Sequence, residues 1–224
     1  MMLSEETSAV RPQKQTRFNG AKLVWMLKGS PLTVTSAVII VLMLLMMIFS
    51  PWLATHDPNA IDLTARLLPP SAAHWFGTDE VGRDLFSRVL VGSQQSILAG
   101  LVVVAIAGMI GSLVQAAKTF GASRWHLINW HILRNSLPPL IVQASLDIGS
   151  AILMAATLGF IGLGAQQPSA EWGAMVANGR NYVLDQWWYC AFPGAAILLT
   201  AVGFNLFGDG IRDLLDPKAG GKQS

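Results

Sequence analysis

Between Lys28 and Asp57 the chain carries no formal charge, and the stretch Leu32 to Leu53, LTVTSAVIIVLMLLMMIFSPWL, is almost wholly apolar. A helix rising about 1.5 Å per residue needs about 20 such residues to cross a bilayer core of about 30 Å. The run is too long for a secretory signal and lacks its small-residue cleavage pattern, so it reads as a retained span. Three more runs follow. One extends from Val89 to Ala117 with its apolar centre at Ile97 to Val114, and another from Leu137 to about Leu158, broken by Asp147. The last goes from Trp187 to about Phe207, with Pro193 near its start. Composition agrees: 12% of residues are charged and mean hydropathy is +0.47, where soluble domains carry about 25% charge. The expectation is an all-α integral membrane bundle of four spans, with no room for a separate soluble catalytic domain.

Charge sets the orientation, because Lys and Arg of short loops stay on the cytoplasmic side. Arg11, Lys14, Arg17, Lys22 and Lys28 precede the first run; Lys118, Arg124 and Arg134 lie between the second and third; Arg212, Lys218 and Lys222 close the chain. These are eleven of the fifteen basic residues, while Arg66, Arg83, Arg88 and Arg180 in the other two connections face seven acids. Both termini are therefore expected in the cytoplasm. The expected order is a cytoplasmic segment 1–31, span one 32–53, an outer loop with an amphipathic helix 54–96 and span two 97–114. A cytoplasmic loop 115–136, span three 137–158, an outer loop 159–186, span four 187–208 and a cytoplasmic tail 209–224 complete it. Trp52, Trp187 and Trp188 fall at the outer ends of spans one and four, where amphipathic rings anchor. On span three, Ala151, Ala155 and Gly159 form a small-residue stripe suited to close helix packing, inside this chain or against another subunit. The net charge of +2 is split by membrane side and forms no nucleic-acid stripe. The lone Cys190 has no intrachain partner.

Two polar segments stand out. In HWFGTDEVGRDLFSRVLVG, residues 74–92, Asp79 can cap a helix whose apolar face holds Val81, Leu85 and Val89, with Glu80, Arg83, Asp84 and Arg88 on the polar face. In QAAKTFGASRWHLINWHILRNSLP, residues 115–138, Gly121 precedes a short helix with Trp125, Ile128 and Ile132 on one face. Arg124, His126 and Asn129 point elsewhere. Such a face, with no soluble domain to pack on, calls for a protein partner or the lipid surface.

The second segment resembles the coupling loop of bacterial ABC importer permeases. Ala116, Ala117 and Gly121 match that pattern, Gln115 stands where a Glu belongs, and Arg134 replaces a Pro. Residues 74–92, LGFIGLGAQQPSAEWGAMV from Leu158 and FNLFGDGIRDLLDPK from Phe204 resemble the dipeptide and oligopeptide branch of that family. Within it the chain is most similar to second permease subunits of D,D-dipeptide (D-alanyl-D-alanine) importers. The resemblance implies a bacterial inner-membrane permease, with Gln115, Ala116, Ala117, Gly121, Ala122, Arg124, Trp125, Ile128 and Ile132 in the ATPase-coupling loop. It implies a second permease, two cytoplasmic ATPases that use ATP, an external solute-binding protein and a peptide cargo. No cofactor is expected in this chain, since no G-x-x-x-x-G-K-[ST] loop is present.

The family has six spans; here the resemblance runs to about Leu113 and resumes at Gln115, so two spans, roughly 75 residues at about 20 per span plus connections, are missing. The charged ends of a peptide cost several kcal/mol to expose to hydrocarbon, so an incomplete ring of helices is expected to insert but not to transport. The alternative role is an interaction protein that docks the importer's ATPases or partner permease without transporting. Asp147, about nine residues into span three, is a candidate pathway residue, or a group near the headgroups. His56, His74, His126 and His131 show no metal-ligand spacing, and no metal site is expected. No His lies within a predicted span, which leaves an intramembrane hydrolase without a base.

Overall fold

The computed structural model describes residues 31–119, 133–165 and 167–215. The described residues form five α-helices: α1 (Pro31–Leu53), α2 (Leu85–Thr119), α3 (Leu133–Ile161), the short α4 (Trp172–Gly179) and α5 (Trp188–Leu215). Four of them contain stretches long and apolar enough to span: Pro31–Leu53, Leu85–Met109, Val142–Ile161 and Trp188–Asp213. No strand occurs among the described residues beyond an isolated bridge between Thr78 and Asp84.

The long helices close into a ring. α1 packs on α2, α2 on α3, α3 on α5, and α5 returns to α1. The ring is filled by Ile40, Ile97, Ile152, Ala196, Ile197 and Phe204, and the end that holds the start of α2 by Leu85, Val89, Trp172, Met175 and Tyr189. α1 shows the polarity expected in lipid: Thr33, Ser36 and Ser50 are buried, whereas Leu42, Leu45, Ile48 and Phe49 are exposed. Ser36 Oγ donates to the Thr33 carbonyl and Ser50 Oγ to the Met47 carbonyl, so these hydroxyls are satisfied within their own helix. Pro51 has no N–H for the Met47 carbonyl four residues back. That oxygen instead receives Ser50 Oγ at 3.2 Å and Gln94 Nε2 of α2 at 3.2 Å, which turns the missing helical bond into a link between spans.

Several boundaries differ from the sequence reading. Span two is the middle of a helix that starts at Leu85 and runs without interruption through Val114 and Gln115 to Thr119. The separate amphipathic helix capped by Asp79 does not form. Its apolar positions Leu85 and Val89 belong to the first turns of α2, and Gly77–Asp84 is a tight loop whose backbone bonds close on itself. The cap is Asp84, whose Oδ2 accepts the Ser87 N–H at 2.8 Å. The connection 159–186 is likewise not all loop. It contains α4, capped by Glu171 through the Gly173 and Ala174 N–H groups at 2.8 Å each. Glu is a weak N-cap signal in sequence, which is why this helix went unseen.

The small-residue stripe packs within the chain where it is deepest. A Cβ on Gly159 would meet the Glu171 carboxylate and come within 2.9 Å of the Ala174 nitrogen, so α4 docks its N-terminus on that glycine. Trp52 and Trp187 are exposed, as interfacial rings should be, but Trp188 is only 8% exposed and lies against Gly77. It belongs to the packed end that holds the start of α2.

Candidate functional site

The segment that connects α1 to α2 was read as presenting Arg83, Asp84 and Arg88 on a polar face; the structure buries all three. The organising group is Asp79. Its Oδ1 accepts the backbone N–H groups of Val81 and Arg83 at 2.9 Å each, and its Oδ2 accepts Arg83 Nε at 2.6 Å with Arg88 Nε 3.7 Å away. One carboxylate thus shapes the turn and faces two guanidinium groups.

Arg88 extends the network to distant parts of the chain. It donates to the carbonyls of Pro58 at 2.9 Å, Pro168 at 3.3 Å and Ser169 at 3.1 Å. The connections after α1 and after α3 are therefore tied to α2 by one side chain. Glu80 does the same for α5, accepting from Tyr189 OH and from Gln167 Nε2 at 3.1 Å. The Trp172 indole N–H completes the seam by donating to the Val89 carbonyl at 2.9 Å.

Around this core the loop is held by its own backbone. Thr78 Oγ1 accepts the Leu68 N–H at 2.8 Å, and Asp62 N–H reaches the Val81 carbonyl. The Thr64 hydroxyl and then its backbone N–H hold the exposed Asp62 carboxyl below its ordinary range, so this local contribution is present above the unfolded pKa and lost as pH falls through the lowered one. Gly82 sits at φ +82°, and a Cβ there would lie inside the Asp62 carbonyl. Gly82→Ala should therefore destabilise the purified protein by about 3 kcal/mol or more, a positive-φ penalty added to displaced backbone. A thermal melt in detergent unchanged from the parent would count against this reading of the turn.

His56 and His74 show no metal-ligand spacing in the sequence. The structure brings both to Asp84, with His74 Nδ1 at 3.0 Å from Oδ1 and His56 Nδ1 at 3.8 Å from Oδ2. Seventeen intervening residues and a loop closed by backbone bonds hide this proximity from any spacing rule.

Of the coupling-loop residues, Gln115, Ala116 and Ala117 lie on the last turns of α2. Gly121, Ala122, Arg124, Trp125, Ile128 and Ile132 fall outside the described residues. Asp147 is half-buried on α3, where its Oδ1 accepts Gln143 Nε2 at 2.8 Å, one helical turn away. It is not part of the Asp79 cluster.

Four apolar spans joined at one end by a buried ionic seam describe a membrane component. The family model for binding-protein-dependent transport system inner membrane components matches residues 24–221. The chain belongs to that family. It is an inner-membrane permease, and its relatives are peptide permeases. It is 75% identical over 298 aligned positions, covering all of both chains, to the probable D,D-dipeptide transport system permease protein DdpC of Escherichia coli. It is 35% identical over 266 positions to the dipeptide transport system permease protein DppC of Alkalihalophilus pseudofirmus, covering 86% of this chain and 88% of the relative. The DppC of Escherichia coli is 34% identical over 265 positions, with 83% and 88% covered. The first alignment has 298 positions and this permease 224 residues, so 74 positions have no counterpart in it.

Proposed function

We propose that this permease is one of two membrane subunits of an ABC importer for D,D-dipeptides, shortened by two spans at the Val114–Gln115 junction and unable to move its cargo in that form. The cargo class follows its 75% identical relative, a probable D,D-dipeptide transport system permease protein. The observation that carries the shortened reading is α2, a single 35-residue helix across the junction, about 50 Å long at about 1.5 Å per residue. A bilayer core of about 30 Å accounts for little more than half of it. The 74 unmatched alignment positions are the length of two spans with their connections.

In this reading both termini and the segment 115–136 are cytoplasmic, as the distribution of basic residues favours. Gln115, Ala116, Ala117, Gly121, Ala122, Arg124, Trp125, Ile128 and Ile132 form the contact with the ATPases. ATP is bound and hydrolysed by those partners, so this chain supplies no catalytic group. The Asp79 seam faces the solute-binding protein's side, and Asp147 is a pathway residue in the six-span form.

Docking and transport separate in one experiment. Membranes containing this chain, its partner permease and tagged ATPases should yield the chain on ATPase pull-down, and Trp125→Ala or Gly121→Leu should reduce recovery by about tenfold or more, as loss of a central aromatic anchor does. Recovery unaffected by either substitution would remove the coupling loop from the contact. Capture without uptake would leave the chain as a docking partner that idles the ATPases.

A further inference from the structure

We propose that His56, His74 and Asp84 form a zinc site at the outer end of the bundle, pinning the segment after α1 to the start of α2. The three side chains offer two imidazole nitrogens and one carboxylate oxygen, all within 4.8 Å of one another. Four-coordinate zinc with nitrogen and oxygen ligands at about 2.0–2.1 Å places neighbouring donors about 3.3–3.4 Å apart. The observed separations, 3.0 Å from His74 Nδ1 to Oδ1 and 3.8 Å from His56 Nδ1 to Oδ2, are on that scale, and the donor set as a whole would contract around the ion.

Ordinary pairing accounts for each contact singly but not for the convergence of two imidazoles on one buried carboxylate. Asp84 is 1% exposed, and its Oδ2 already accepts the Ser87 N–H at 2.8 Å and the Ser87 hydroxyl at 2.7 Å. His74 pairs with Oδ1, while His56 Nδ1, which hydrogen-bonds the Thr55 hydroxyl at 3.0 Å, also comes within 3.8 Å of Oδ2 and so brings a second imidazole to the same carboxylate. The rings lie side by side with centroids 4.9 Å apart.

The support expected behind a ligand set is present. Ser87 orients Asp84 from one side and accepts the His56 backbone N–H at 3.0 Å from the other, fixing the carboxylate and the histidine backbone together. Entry is open on the histidine side, where His56 is 44% and His74 18% exposed, leaving room for water as the fourth ligand. Two imidazoles and a carboxylate suit zinc over calcium or magnesium, which prefer all-oxygen sets. Binding requires His74 Nδ1 to be unprotonated. The tautomer that binds the ion through Nδ1 carries its proton on Nε2.

The test uses the full chain purified in detergent and stripped of metal, titrated with Zn2+ against a chromophoric chelator, with Co2+ as the spectroscopic probe. One ion per chain is expected, with the visible absorption of four-coordinate Co2+ and a rise in melting temperature on adding Zn2+. His56→Ala and His74→Ala should each weaken binding by tenfold or more, while His126→Ala and His131→Ala leave it unchanged. Asp84 also caps α2, so the histidine variants, confirmed folded by their melts without metal, carry the decision. Unchanged affinity in both histidine variants, or no ion retained by the parent chain, would overturn the proposal.

Discussion

A strain lacking its own D,D-dipeptide permease should show only background uptake of D-alanyl-D-alanine when given this chain, and recover uptake when a two-span segment is restored between Val114 and Gln115. The expected difference is at least a hundredfold. The cause is the cost of bringing a doubly charged peptide past hydrocarbon, several kcal/mol or more for each uncompensated charge. The four-helix ring offers it little, because its interior is occupied by Ile40, Ile97, Ile152 and Phe204 packed on one another. Radiolabelled uptake at equal membrane abundance makes the comparison. Transport by the short chain at the restored rate would show that four spans suffice.

The second large effect lies at Asp79. Asp79→Ala removes the carboxylate facing Arg83 and Arg88, both buried, and frees the two backbone N–H groups that shape the turn. Breaking a buried pair from one side costs about 3–5 kcal/mol, since the charge left behind stays desolvated. A chain with ordinary marginal stability should then fail to accumulate in the membrane. Asp147→Ala is the contrast: its one described bond is to a neighbour on the same helix, so abundance should hold. Immunoblots of membrane fractions and melts of any surviving protein decide the matter; equal abundance of Asp79→Ala and parent would mean the seam is not structural.

Much of the architecture could be read from apolar run length, because lipid leaves helices few alternatives. Four uncharged or nearly uncharged runs became α1, α2, α3 and α5. What could not be read was the fate of charged residues next to a span. The i, i+4 spacing of Glu80, Asp84 and Arg88 suggested a solvated helix face, and periodicity carries no information about a glycine at positive φ that folds the chain back on itself. Gly82 was the available signal, placed in the middle of the supposed helix where it argues against one. Trp188 was misplaced for a similar reason: its neighbour Trp187 takes the interface, and only the close approach allowed by Gly77 draws the second ring inward. The meeting of His56 with His74 depends on that same loop closure.

One consequence follows from the unbroken length of α2. Its first turn is anchored by Asp84 in the buried ionic seam, and its last turns carry Gln115, Ala116 and Ala117. A continuous helix without a proline or a loop behaves as a strut: a push at one end must reappear at the other or be absorbed by the neighbours it slides against. Where two additional spans intervene, the same push passes through several joints, each able to bend. In the shortened form proposed above that gearing would be gone, and tilt imposed on the Ala117 end of α2 would arrive at the other end as a displacement of the Arg88 ties to Pro58, Pro168 and Ser169.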